Sequence, residues 1–208
     1  MATLVKFDSS PMGDRSISRR LTANFTEAWL KAHPGGRVAE RDLSGLDLAP
    51  INGFWVAAAH TPLEARSADQ QQALAVSDSL IADLQNADEY VFGVPMHNFS
   101  IPSTLKLWID LVARAGKTFA YGANGPVGLL KGKKATVLIA SGGAYGPDTP
   151  GAALNFVAPY LKAVFGFLGI ADLTIISAEG TAQVMSGKVD AQAFLAPTLE
   201  KVHAHASL

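Results

Sequence analysis

Residues 90–116 read YVFGVPMHNFSIPSTLKLWIDLVARAG. The first six form an unbroken apolar run of strand length closed by Pro95, the pattern of a strand buried on both faces. A helix follows. Ser100 stands where an N-cap belongs, Pro102 is tolerated in a first turn, and the spacing carries the helix to about Ala115. Ile101, Leu105, Trp108 and Val112 share one face, expected to pack on the sheet. Leu107 and Leu111 lie on another, an apolar excess that a lone chain would expose, although scattered surface leucines are ordinary.

The same strand-then-helix unit recurs in both directions from this stretch. Residues 2–8, 37–43, 134–141 and 171–179 read as four further strands. Helical patterns cover about 17–33, 67–85, 152–168 and 188–203. Ser67 and Gln70 have the spacing of a capping box, and Leu74, Leu80, Ile81 and Leu84 mark the buried face of that helix. Five strands alternating with helices predict an α/β fold: a doubly wound, flavodoxin-like parallel sheet of order 2-1-3-4-5 with helices on both faces. The pattern runs without a repeat or low-complexity tract, so one domain is expected over residues 1–208.

Composition fits that reading. Of the 208 residues 49% are hydrophobic and 17% charged, as a well-buried globular chain requires. A net charge of −1 gives no basic excess for a nucleic-acid backbone or an anionic membrane. No apolar run reaches spanning length and Met1 leads directly into a strand, so a soluble, cytoplasmic protein without membrane contact is expected. Cysteine is absent, which excludes disulfides, thiol chemistry and thiolate metal sites. His33, His60, His97, His203 and His205 form no metal-ligand spacing, and His203 and His205 read as a solvated C-terminal tail. Any redox chemistry must therefore belong to an organic cofactor.

In such a sheet, ligands bind beyond the carboxyl ends of the strands. Three strand ends carry distinctive residues. Ser9-Ser10-Pro11-Met12-Gly13-Asp14-Arg15-Ser16-Ile17-Ser18 runs into a helix N-terminus, where free amides and the hydroxyls of Ser10, Ser16 and Ser18 suit a phosphate. It is equally readable as a serine-rich helix cap. Neither GxxxxGK[ST] nor GxGxxG is present, which favours a monophosphate over a triphosphate or dinucleotide. Pro95-Met96-His97-Asn98-Phe99-Ser100 offers backbone groups and Asn98 to the edge of a heteroaromatic ring, with Phe99 as a wall. Ser141-Gly142-Gly143-Ala144-Tyr145-Gly146 offers consecutive glycine amides for close approach of a planar ligand. Together the three describe FMN lying edge-on to the sheet. Two connections, 44–66 and 117–133, are too long to be ordinary. Their aromatics Phe54, Trp55, Phe119 and Tyr121 either pin the loops to the domain or line a pocket for a flat ligand.

On these residues the chain resembles the FMN-dependent NADH-azoreductases, also described as NADH:quinone oxidoreductases. The resemblance spans nearly the whole chain. It is most specific over 95–102, over the following Leu105–Phe119, over Gly125-Pro126-Val127-Gly128-Leu129-Leu130, at Ser141-Gly142-Gly143 and at Ala178-Glu179-Gly180. It implies FMN contacts at Ser10, Ser16, Ile17 and Ser18 around the phosphate. It further implies Met96, His97, Asn98 and Phe99 beside the ring, and Ser141, Gly142, Gly143 and Ala144 at its pyrimidine end. NADH is the implied donor, with NADPH admitted, and a quinone or azo compound the acceptor. His97, Asn98, Phe99, Phe119 and Tyr121 are the candidates for the substrate pocket. A homodimer with pockets at the subunit boundary is also implied, and joined with the Leu107 and Leu111 face it favours a two-fold interface there. One departure stands out. The family's Pro-Met-Tyr-Asn-Phe has His97 in place of tyrosine, either a neutral change or a source of pH sensitivity.

The implied reaction needs no side-chain nucleophile. Donor and acceptor use one place in turn, which predicts ping-pong kinetics; two cycles cleave an azo bond, and one makes a hydroquinol. A one-electron flavodoxin carrier is the main competitor, disfavoured by the near-neutral charge and the two long loops. A hydrolase is weaker still, because Ile139 occupies the first glycine position of a GxSxG elbow and no paired His–Asp is evident.

Overall fold

A computed structural model describes residues 1–208. Five parallel strands form the central sheet: β1 (Thr3–Asp8), β2 (Arg37–Asp42), β3 (Glu89–Pro95), β6 (Lys134–Ala140) and β7 (Asp172–Ala178). Their spatial order is β2-β1-β3-β6-β7, which matches 2-1-3-4-5. The order reverses between β1 and β3, paired with Phe7 opposite Phe92, so the crevice of this sheet lies beyond the ends of those two strands.

Because successive strand residues face opposite ways, each central strand feeds two cores. On one face Phe7 and Phe92 stack at 4.6 Å, and Trp108 meets Phe92 edge-on at 5.2 Å. The helices α3 (Ala68–Asn86), α4 (Ser103–Val112) and α5 (Val157–Leu168) cover this side. On the other face Leu4, Val91 and Leu138 meet Leu21, Phe25 and Trp29 of α1 (Ile17–Ala32) and Leu195 and Val202 of α7 (Ala191–Ala206). Truncating a fully buried aromatic such as Trp108 costs on the order of 3–5 kcal/mol.

The Ser67–Gln70 capping box forms, with both reciprocal bonds present. Elsewhere local chemistry shifts the expected boundaries. Ser100 does not cap α4; its N–H and carbonyl exchange bonds with His97, and the helix begins only after Pro102. The α5 segment starts with a 3-10 turn at Ala152–Leu154, then Asn155 Oδ1 accepts the Val157 and Ala158 amides to open the helix proper. A separate short helix, α6 (Ala182–Met185), lies outside the expected ranges; the last helix, expected from about Lys188, begins only at Ala191 as α7, where Asp190 Oδ1 accepts the Ala193 N–H. Its C-terminus is not a frayed tail: α7 continues past both histidines to Ala206, and His205 Nε2 lies 3.1 Å from Thr136 Oγ1.

The two long connections are structured. Residues 44–66 hold α2 (Gly53–His60), started by Asn52 Oδ1 accepting the Trp55 N–H at 2.9 Å. Arg114 holds this helix down, its guanidinium 5.7 Å from the Trp55 ring and bonded to Ser77 and Asp78. Residues 117–133 hold an antiparallel hairpin of β4 (Phe119–Gly122) and β5 (Gly125–Gly128). The hairpin base meets the end of α5 so closely that a Cβ on Gly128 would lie 2.1 Å from the Gly169 nitrogen. Leu107 and Leu111 do not form the expected open face. Leu111 is 5% exposed and Leu107 half-buried, both packed against the main core, because α2 and α3 close over that side of α4.

Candidate functional site

A cavity of about 530 Å3 opens beyond the carboxyl ends of β1, β3 and β6. The first strand-end loop supplies Ser10, Met12, Arg15, Ser16, Ile17 and Ser18 to its wall. Ser9 locks this loop to the sheet, with both its N–H and its hydroxyl donating to the Gly93 carbonyl at 3.1 and 2.8 Å. Ser16 is the N-cap of α1, where its hydroxyl accepts the Arg19 N–H at 3.3 Å and lies 3.1 Å from the Ser18 hydroxyl. The Ile17 and Ser18 amides belong to the first turn and have no acceptor within the helix. Hydroxyls, first-turn amides and the exposed Arg15 therefore face one end of the cavity, and no carboxylate lines it. That end selects for an anion.

The second loop brings Pro95, Met96 and His97 to the cavity. His97 and Ser100 close a tight turn through reciprocal backbone bonds of 2.9 and 3.0 Å. Between them Asn98 (φ 47°) and Phe99 (φ 70°) are both left-handed, which is unusual for phenylalanine. The turn directs Asn98 to a neighbouring cavity that His97 also borders, with Ser103, Lys106 and Tyr160. Phe99 stays out of the main cavity, 42% exposed and edge-on to Tyr145 at 6.1 Å.

The third loop is held from the end of β7. The Ser141 carbonyl accepts both the N–H and the hydroxyl of Thr181 at 3.0 Å, and the Gly143 carbonyl accepts the Gly180 N–H. Glu179 Oε1 accepts the Tyr145 N–H at 3.1 Å. The carbonyls are thus spent on protein, whereas the Gly142, Gly143 and Ala144 amides donate to no protein group. Ser141 itself is buried, with its hydroxyl turned to the Gly143 carbonyl. Of this loop only Gly142 lines the main cavity; Ser141, Gly143 and Ala144 are not among its walls.

Gly142 tests whether the site fits a planar, phosphate-bearing cofactor such as FMN. Its φ is not left-handed, and an added Cβ would meet nothing closer than the Ala182 Cβ at 3.7 Å. Neither backbone conformation nor internal packing calls for glycine there. A ligand lying close against that peptide does, and the residues fit the group.

Seven of the twelve residues expected around the cofactor share this cavity: Ser10, Ser16, Ile17, Ser18, Met96, His97 and Gly142. Phe119 and Tyr121 are not among its walls. Phe119 is 8% exposed against Phe167 and pins the hairpin, while Tyr121 meets Phe119 edge-on at 5.6 Å and is otherwise open to solvent, 78% exposed. Reading the sequence missed Met12, Arg15, Thr181, Ala182, Met185 and Ser186. Arg15 lay inside the serine turn, but the α6 residues come from a helix too short to leave a periodic signal.

Beneath the first loop, burial pushes the Asp8 carboxyl above its ordinary value, against the Thr22 hydrogen bond and the charges of Lys6 and Arg19. Asp42 shows the opposite balance. Burial would raise it, yet hydrogen bonds from Arg19 and Ser44 hold it below the usual carboxylate value.

Residues 2–205 match the flavodoxin-like fold family. The chain is 50% identical to the FMN-dependent NADH:quinone oxidoreductase of Acidobacterium capsulatum, over 97% of this chain and 98% of that one. It is 48% identical to FMN-dependent NADH:quinone oxidoreductase 3 of Burkholderia lata, over 98% and 99% of the two chains. Among solved structures, an azoreductase from Bacillus anthracis strain Sterne superimposes with a TM-score of 0.88 at 28% identity, covering 100% of this chain and 99% of the other. An FMN-dependent NADH-azoreductase from Bacillus anthracis strain Ames Ancestor, in complex with FMN, gives 0.87 at 29% identity, covering 100% and 98%.

Proposed function

The chain belongs to the FMN-dependent NADH:quinone oxidoreductases, a family of flavodoxin-like fold, and on that premise we propose that it binds FMN and carries two electrons from NADH to quinones and azo compounds. The observation that carries this reading is the convergence of three strand-end loops on one cavity, the first and third with unspent amide donors, and with a glycine at its wall for which the protein itself has no use.

The chemistry a bound FMN supplies is two-electron transfer, with hydride received from a nicotinamide and electrons delivered to an acceptor. The chain's part is to bind, orient and enclose. Ser10, Ser16, Ile17 and Ser18, joined by Arg15, hold the phosphate. Met96 and His97 would border the ring, with Asn98 and Phe99 in the turn beyond them, and the free amides of Gly142, Gly143 and Ala144 after Ser141 would favour negative charge on it. A single opening is shared in turn by donor and acceptor, which makes the kinetics ping-pong. NADH is the donor named for the relatives, and NADPH is admitted as a second.

The working form is a homodimer. Exposed apolar side chains at the cavity side, Phe99, Leu154 and Phe156, support this. So does the position of Phe119 and Tyr121, which lie outside the strand-end cavity of a single chain and serve a substrate there only if a second copy completes the pocket. No helix is long and apolar enough to cross a membrane, in keeping with a cytoplasmic enzyme.

Releasing the chromophore from purified protein and then titrating NADH against a soluble quinone tests the proposal. FMN should be recovered, with parallel double-reciprocal lines. A colourless polypeptide that takes up no FMN at micromolar levels would overturn it, and intersecting lines would overturn the ping-pong order alone.

A further inference from the structure

Arg19 lies one residue beyond Ser18 in the first turn of α1, yet it does not reach the cavity wall. Its guanidinium turns under the first loop and donates to the Ser10 carbonyl twice, from Nε at 2.9 Å and from Nη2 at 2.7 Å. The Ser44 hydroxyl lies 3.2 Å from the same oxygen, but its single proton goes to Asp42 Oδ1 at 2.7 Å. Nη2 is also 2.5 Å from Asp42 Oδ1 and 2.9 Å from Ser44 Oγ, and Nη1 is 4.0 Å from Asp8 Oδ2. One half-buried cation therefore joins the ends of β1 and β2 to the start of α1.

The Ser10–Pro11 peptide explains why this matters. Proline has no N–H, so that peptide can present only its oxygen to whatever lies nearby. The Ser10 hydroxyl is on the cavity wall, and a carbonyl free to swing toward the same space would repel a phosphate. The two guanidinium N–H groups converging on that oxygen hold it away.

We propose that Arg19 is a positioning residue for the phosphate end of the cofactor: without touching the ligand, it keeps the Ser10 carbonyl turned back so that the loop shows an anion only donors. The inference rests on the FMN reading above. Its basis is the fork rather than the charge, because Asp42 and Asp8 already offset the guanidinium from the far side, and a fork can bond one carbonyl and one carboxylate at once.

The test compares FMN with riboflavin, which lacks the phosphate, as ligands of the full-length protein freed of flavin. In Arg19→Gln the preference for FMN over riboflavin should fall roughly ten- to a hundredfold, the range for lost hydrogen bonds to a charged group. Riboflavin affinity should stay within about a factor of two. Arg19→Lys keeps the charge but not the fork, and should recover less than half of the lost preference on a logarithmic scale. A parallel fall for both ligands would mark a general structural role and overturn the proposal, as would full recovery by lysine. Should Arg19→Gln not fold, Arg19→Lys carries the test alone; a preference for FMN lowered about fivefold with riboflavin affinity unchanged supports the positioning role, and no loss refutes it. Failure of the underlying reading is visible separately, since wild type would then show no preference for FMN at all.

Discussion

Replacing Gly142 by alanine separates what the fold needs from what the ligand needs. The added Cβ would lie 3.7 Å from the Ala182 Cβ, an ordinary contact, and the backbone there is not left-handed. Removing a glycine from such a position restricts the unfolded chain and stabilises the protein by ~0.4–1 kcal/mol. For 208 residues at about 2.1 cal/mol/K each, the unfolding entropy is about 0.4 kcal/mol per degree, so Tm of the flavin-free protein should rise by about 1–2 °C. The same methyl group points at the ligand. One misplaced methylene in a shaped pocket is worth ~1–3 kcal/mol, so FMN affinity should fall at least about fivefold. Thermal unfolding and a fluorescence titration on the same preparation measure both. A lowered Tm would mean that glycine serves the fold; unchanged FMN affinity would mean that no ligand lies against that peptide. Either result refutes the argument.

Gly128→Ala should behave in the opposite way, because its Cβ would fall 2.1 Å from the Gly169 nitrogen; about 3 kcal/mol and roughly 7 °C of Tm should be lost, and a loss below 1 °C would contradict the packing described. For Asp8 the sign follows from the raised pKa. The folded state favours the protonated carboxyl, so this residue's contribution to stability declines as pH rises from the ordinary value of 3.8 through the higher folded one. Asp8→Asn should therefore be more stable than wild type at neutral pH, by a margin that shrinks on acidification; a margin that grows toward low pH would reverse the conclusion. His97→Tyr should leave FMN affinity within about a factor of two, since the turn is held by backbone bonds and the imidazole makes no hydrogen bond. Matching pH–rate profiles for the two proteins would confine His97 to a neutral role, and a displaced profile would assign it pH sensitivity.

What could be read without coordinates is what repeats. Strands such as Tyr90–Pro95 and Lys134–Ala140 are apolar on both faces, and that pattern has one economical solution: a parallel sheet with helices on each side. The serine turn and the glycine pair were also legible, because helix starts and close approaches demand particular residues at particular offsets. Short or context-dependent elements were not. The α2 helix and the β4–β5 hairpin are only 8 and 4 residues per element, too brief for periodicity to speak. Ser100 looked like a cap because serine is a favoured N-cap and Pro102, two residues on, is tolerated in a first turn; the two left-handed residues before it consumed its backbone in a turn instead.

By itself, then, the amino-acid order determined the layering of the fold, the three strand ends and the class of cofactor they suit, since each follows from local spacing and side-chain chemistry. Only the tertiary structure decided which donors remain unspent, that Leu111 is covered and that Arg19 braces the Ser10 carbonyl. Those outcomes depend on groups 34 residues apart, as Ser10 and Ser44 are, meeting in space, and no local rule carries that information.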